Sequence, residues 1–107
     1  MSDEILEFIK SCIQRRRILW TYHVNMRLKE RFISREAVMG THETYEIIER
    51  YPEDKYLPSY LVFAQHEGQA LHVQIAADRE NENIRIVTAY KPSQDEWEED
   101  FKTRRKK

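Results

Sequence analysis

The chain has 107 residues, 35% charged and 40% apolar, with a formal net charge of −1. That is a globular composition, too apolar for a disordered chain and with no apolar run near the ~20 residues that a membrane-crossing helix needs. One cysteine, Cys12, excludes an intrachain disulfide. With the acidic N-terminus MSDEILEF in place of signal-peptide chemistry, the expectation is a single cytoplasmic domain over residues 1–107.

The near-neutral total conceals an uneven distribution. Residues 1–35 hold eight Lys/Arg and four Asp/Glu, and residues 102–107, read as a basic tail, add five more positive charges. The centre is therefore acidic. Folding that joined the ends would build a basic patch.

In chain order, residues 3–16 read as an amphipathic helix. Ile5, Phe8, Ile9, Cys12 and Ile13 follow the i, i+3, i+4 rule, and Ser2 is the expected N-cap. Cys12 falls on the apolar stripe and reads as core. Residues 18–22, ILWTY, are β-prone, as a brief strand or a connection. HVNMRLKERF, residues 23–32, reads as a helix that aligns His23, Arg27 and Arg31 along one face. The plain reading of that row is a solvated face; the sharper one is a phosphate-binding ridge. Ser34 caps a short third helix with Ala37 and Val38 turned inward. Residues 45–51 read as extended, and the Pro-containing stretch 52–59 as a loop.

Residues 60–66, 70–77 and 84–91 then read as a three-stranded meander. Glu67-Gly68 marks the first turn and Asp78 to Asn83 the second. If Ala77 lies opposite Ile84, the apolar sets share one face and His72, Gln74 and Arg85 share the other. Simple alternation puts Tyr90 with Ile84 and Ile86. After Pro92, Ser93 and Glu96 form a capping-box pattern. Acidic residues then lead into Lys102, Arg104 and Arg105, which predicts a C-terminal helix carrying Trp97 and Phe101 onto the sheet. The expected class is α+β: N-terminal helices packed on a twisted antiparallel sheet of three to four strands, with a helix after the last strand.

There is no Walker loop, G-x-G-x-x-G, H-E-x-x-H or C-x-x-C motif. One Cys and four scattered His give no zinc-ligand spacing, so no metal and no cofactor are expected. The chemistry left is a His/Arg set with a tyrosine. Metal-free RNA cleavage needs a group to take the 2′-hydroxyl proton, cations for the phosphate and an acid for the leaving oxygen. His23, Arg27, Arg31, His72, Arg85 and Tyr90 would supply these roles if they converge. The plainer reading of His72 is a polar residue on a partly exposed strand face, and that of Tyr90 is core.

The ordered pattern His23-x-x-x-Arg27-x-x-x-Arg31, Ile33-Ser34-x-Glu36-x-Val38, Ile47-Ile48-x-x-Tyr51-Pro52, Pro58-Ser59-Tyr60-Leu61-Val62, Leu71-His72-Val73 and Ile86-Val87-Thr88-Ala89-Tyr90-x-Pro92, closed by Trp97, resembles a bacterial family of unknown function in the RelE/ParE-like toxin superfamily, near the BrnT group. The resemblance implies a RelE-like fold and a type II toxin that cuts mRNA without a metal, often on the ribosome in that superfamily. It also implies an antitoxin partner, with the MqsA-like zinc-finger kind as one form. Family-pattern positions are His23, Arg27, Arg31, His72, Thr88 and Tyr90. The expected catalytic set is His23, Arg27, His72 and Tyr90, and the expected RNA-binding set is Arg31, Arg85 and Thr88. Two other readings stay open: a non-catalytic interaction domain on the same fold, and a nucleic-acid-binding module.

Overall fold

The computed structural model describes residues 3–106. The elements are α1 (Glu4–Gln14), β1 (Ile18–Trp20), α2 (Tyr22–Glu30), α3 (Arg35–Gly40), a 3₁₀ turn (His42–Thr44), β2 (Glu46–Tyr51), β3 (Ser59–His66), β4 (Gln69–Asp78) and β5 (Asn83–Tyr90). The expected cap Ser2 lies outside the described residues. Thr21 and Ser34 cap α2 and α3 through their hydroxyls, at 3.1 Å to the Val24 amide and 2.9 Å to the Ala37 amide. Both α1 and α2 end in paired backbone bonds closed by a residue with positive φ, Arg16 and Phe32, where glycine is usual.

The sheet has five strands in the order β1-β5-β4-β3-β2 and is mixed, which corrects the expected three-to-four-stranded antiparallel sheet. The short ILW segment supplies the difference. β1 runs parallel to β5, with Ile18, Leu19 and Trp20 opposite Ile84, Arg85 and Ile86. Three residues carry little periodicity, so only the partner strand reveals them as a strand. β2 to β5 form the antiparallel part. Glu67 and Gly68 both have positive φ (51° and 79°), as the two-residue turn between β3 and β4 requires.

The helix expected after the last strand is absent. Ser93 starts one turn: its hydroxyl accepts from the Asp95 amide and its carbonyl from the amides of Glu96 and Trp97. The chain then reverses at Asp100, whose carboxylate accepts from the amides of Lys102 and Thr103, and Trp97 bridges antiparallel to Arg104. A helix would stack Glu96, Glu99 and Asp100 as like charges at i+3 and i+4. It would also take Lys102 and Arg104 away from the carboxylates of Glu46 and Glu49 that they meet across the sheet.

One face of the sheet holds the main core. Val62, Val73, Ile75, Ile84, Ile86 and Ala89 pack there under Ile9, Ile13, Val24 and Leu28 of the helices. The other face carries Glu49, Leu61, Phe63, His72, Gln74 and Arg85, and residues 92–106 cover part of it. No helix among the described residues is long and apolar enough to cross a membrane.

Candidate functional site on the second face of the sheet

Ala77 does lie opposite Ile84, so β4 and the first half of β5 share faces as the alternation predicts. The register then shifts. Ile75 faces Ile86 but Gln74 faces Thr88, which leaves Val87 as an extra residue in β5. A bulge of this kind reverses the parity of everything after it. Ala89 therefore enters the main core, while Thr88 and Tyr90 move to the face of His72. Simple alternation had put Tyr90 with Ile84 and Ile86, and the bulge is why that fails.

His72 is fully buried there. Its Nε2 lies 2.6 Å from the Phe101 carbonyl and its Nδ1 lies 3.2 Å from the Tyr90 hydroxyl. A carbonyl only accepts, so Nε2 carries the proton and Nδ1 receives the Tyr90 O–H. Trp97, also buried, meets the imidazole edge to face at a centroid distance of 4.4 Å. Burial pushes the His72 pKa below the usual histidine range, against the opposing pull of the Phe101 carbonyl. Burial likewise raises the Tyr90 pKa, so the phenol keeps its proton. The result is a neutral imidazole with its basic nitrogen on a protonated phenol.

A carboxylate and two more groups lie beside this pair. Arg104 donates to Glu49 from Nε to Oε2 at 2.6 Å and from Nη2 to Oε1 at 3.2 Å, a forked contact. The Tyr51 hydroxyl donates to the same carboxylate. Burial pushes the Glu49 pKa up, but the hydrogen bonds from Arg104 and Tyr51 outweigh it and hold the carboxyl below the usual range. The Arg104 guanidinium also lies 4.6 Å from the centre of the Trp97 ring. Neither Glu49 nor Arg104 belonged to the expected site. Strand alternation around Tyr51 was the one available signal for Glu49, and Arg104 gave none because its role depends on a reversal of the chain.

The remaining expected residues separate into two groups. Arg31 reaches around the edge of β5, where its Nη1 donates to Thr88 Oγ1 at 3.0 Å and to the Ala89 carbonyl at 2.9 Å. That edge is free because β1 stops opposite Ile86. Arg85 lies on the second face opposite Ala76, 3.8 Å from Asp78, and borders a cavity of about 320 Å³ with Lys55, Ser59 and Val87. Thus His72, Tyr90, Thr88 and Arg85 share one side of the sheet, and Arg31 reaches Thr88 from the β5 edge. His23 and Arg27 do not join them. Both are exposed on α2, whose Val24 and Leu28 pack into the opposite face, and Arg27 lies 3.8 Å from Glu30 of the same helix. Among the described residues no cluster of His, Cys, Asp and Glu has metal-binding geometry.

Fold and site together define a small α+β domain with a mixed five-stranded sheet and a polar, tyrosine–histidine-centred second face. The family model described as "Domain of unknown function (DUF4258)" matches residues 20–91, and the chain belongs to that family. No curated protein and no solved structure matches the chain.

Proposed function

We propose that the protein is a RelE-like toxin, a metal-independent endoribonuclease acting on mRNA through the second face of its sheet, and that it is held in check by a cognate antitoxin. The observation that carries this reading is the His72–Tyr90 pair, with the Arg85 guanidinium on the same face and that of Arg31 at the β5 edge. Tyr90 would take the 2′-hydroxyl proton as it passes its own to His72 Nδ1. The 2′-oxygen attacks phosphorus, the bond to the 5′-oxygen breaks, and the proton returns along the same path to that oxygen. The products are a 2′,3′-cyclic phosphate and a 5′-hydroxyl. The Arg31 N–H groups that make no bond among the described residues would neutralise the phosphorane, and Arg85, opposite Ala76 and farther along the face, would hold a flanking phosphate.

The test is incubation of single-stranded RNA with the purified protein in a chelator. Cleavage to cyclic phosphate ends is expected, reduced about 10²-fold or more in Tyr90→Phe and in His72→Ala. His23→Ala should cleave at the wild-type rate. Intact RNA under all conditions, or equal rates in every variant, would sink the proposal.

One observation favours a second reading. His72 has no exposed surface and both ring nitrogens are engaged, which suits a non-catalytic protein-interaction domain. Co-purification with a partner, and no nuclease activity after their separation, would select it.

A further inference from the structure

Residues 92–106 are joined to the domain in a distinctive way. Among the described residues, the backbone–backbone hydrogen bonds of this strap are internal: Trp97 N to Ser93 O at 3.0 Å, Glu98 N to Thr103 O at 2.8 Å and Arg105 N to Glu96 O at 2.9 Å. No backbone–backbone bond among the described residues ties it to the sheet, and most of its attachments are made by side chains. Trp97 is buried against His72, Arg104 forks onto Glu49, and Lys102 lies 3.4 Å from Glu46. The one backbone atom involved is the Phe101 carbonyl, which accepts from His72 Nε2 at 2.6 Å. Such a strap can leave as a unit without breaking a ladder bond. It also lies beyond the residues matched by the family model, whereas what it covers, Glu49, Phe63, His72 and Tyr90, lies within them.

Two groups of the strap fill the space over His72: a flat aromatic ring, 86° to the imidazole plane, and a carbonyl oxygen on Nε2. A nucleobase with a ring carbonyl combines both in one molecule. We infer that the strap plugs a pocket for an unpaired RNA base, with Trp97 in the place of the base and the Phe101 carbonyl in the place of its exocyclic oxygen. This rests on the RNA reading above. The carboxylates of Glu46 and Glu49, uncovered when Lys102 and Arg104 leave, repel phosphate. The base therefore enters here while the backbone runs toward Arg31 and Arg85. Uracil, cytosine and guanine have the required carbonyl, and adenine does not.

The experiment uses the full chain with Trp20→Phe, which leaves Trp97 as the sole tryptophan. The probes are 2′-fluoro oligouridylate, which has no 2′-hydroxyl to react, and 2′-fluoro oligoadenylate. Oligouridylate should bind, shift Trp97 emission to the red and open it to acrylamide quenching. Oligoadenylate should bind more weakly. Lys102→Ala/Arg104→Ala should bind oligouridylate about tenfold tighter, because the competent open state is more populated. Glu49→Gln loosens the same clamp from the sheet side and serves should the double variant fail to fold. Binding with Trp97 emission unchanged, equal affinity in wild type and the loosened variants, or no binding by any of them overturns the inference. RNA cleavage without Trp97 displacement would leave the nuclease reading standing, and displacement without cleavage would leave only the pocket.

Discussion

His72 and Tyr90 meet, Nδ1 to hydroxyl at 3.2 Å, because Val87 is looped out of β5. With Val87 held in the ladder, simple alternation would point the tyrosine into the main core and leave the histidine only the strap. The bulge therefore predicts that Val87 can be substituted or deleted without moving any later residue of β5 to the other face. Val87 is exposed, so Val87→Ala should change stability by about 0.5 kcal/mol or less. Deleting Val87 would leave Ile86, Thr88, Ala89 and Tyr90 in regular alternation against Ile75, Gln74, Val73 and His72, with Ala89 still in the main core and Tyr90 still beside His72. The expected result is cooperative urea unfolding with the His72–Tyr90 contact kept. A deletion variant that loses cooperative unfolding would show that the bulge itself is needed for the fold.

The burial of His72 makes stability depend on pH. Its folded pKa lies below the unfolded value near 6.5. Between the two values the unfolded chain binds more protons, so stability rises with pH. The contribution is fully present above about 6.5 and is lost as pH falls through the lowered folded value. Glu49, also lowered, adds a second loss at more acidic pH, below the ordinary carboxyl range. The urea midpoint should therefore drop between pH 7.5 and pH 5.5 in wild type. It should drop less in His72→Gln, whose amide can still donate to the Phe101 carbonyl. Equal drops in the two proteins would assign the loss to other groups.

Arg31 closes the part of β5 that β1 is too short to cover. Removing its side chain leaves the Ala89 carbonyl without its partner, at a cost of about 1–2 kcal/mol. Arg31→Ala should lower the thermal midpoint and speed hydrogen exchange near the end of β5, with α1 unaffected. Arg31→Ala at wild-type stability would mean that water satisfies the edge equally well.

Much of this fold is legible in the residues taken in order. The 3.6-residue spacing of Ile5, Ile9, Cys12 and Ile13 yields α1 and its buried face. Ser34 marks α3, and Gly68 with its neighbour marks the tight turn between β3 and β4. These are local signals, carried by propensity and by backbone geometry within a few residues. The apolar sets of β4 and of the first half of β5 are equally readable, since alternation is a property of the strand itself.

What only the tertiary structure decides is pairing across distance. The three residues of β1 gain strand character from β5, some 65 positions away. The last helix signal, Ser93-x-x-Glu96, is overridden because Glu46 and Glu49 of β2 draw Lys102 and Arg104 across the sheet and Trp97 finds its place against His72. The site divides the same way. That His72 and Arg85 share a face follows from alternation, but Tyr90 and Thr88 reach it through a bulge that no local pattern marks. His23 and Arg27, regular in sequence with Arg31, are left outside because a helix can bury only one side. Periodicity specifies which residues lie together on an element; which elements then touch depends on long-range packing and charge, which periodicity does not encode.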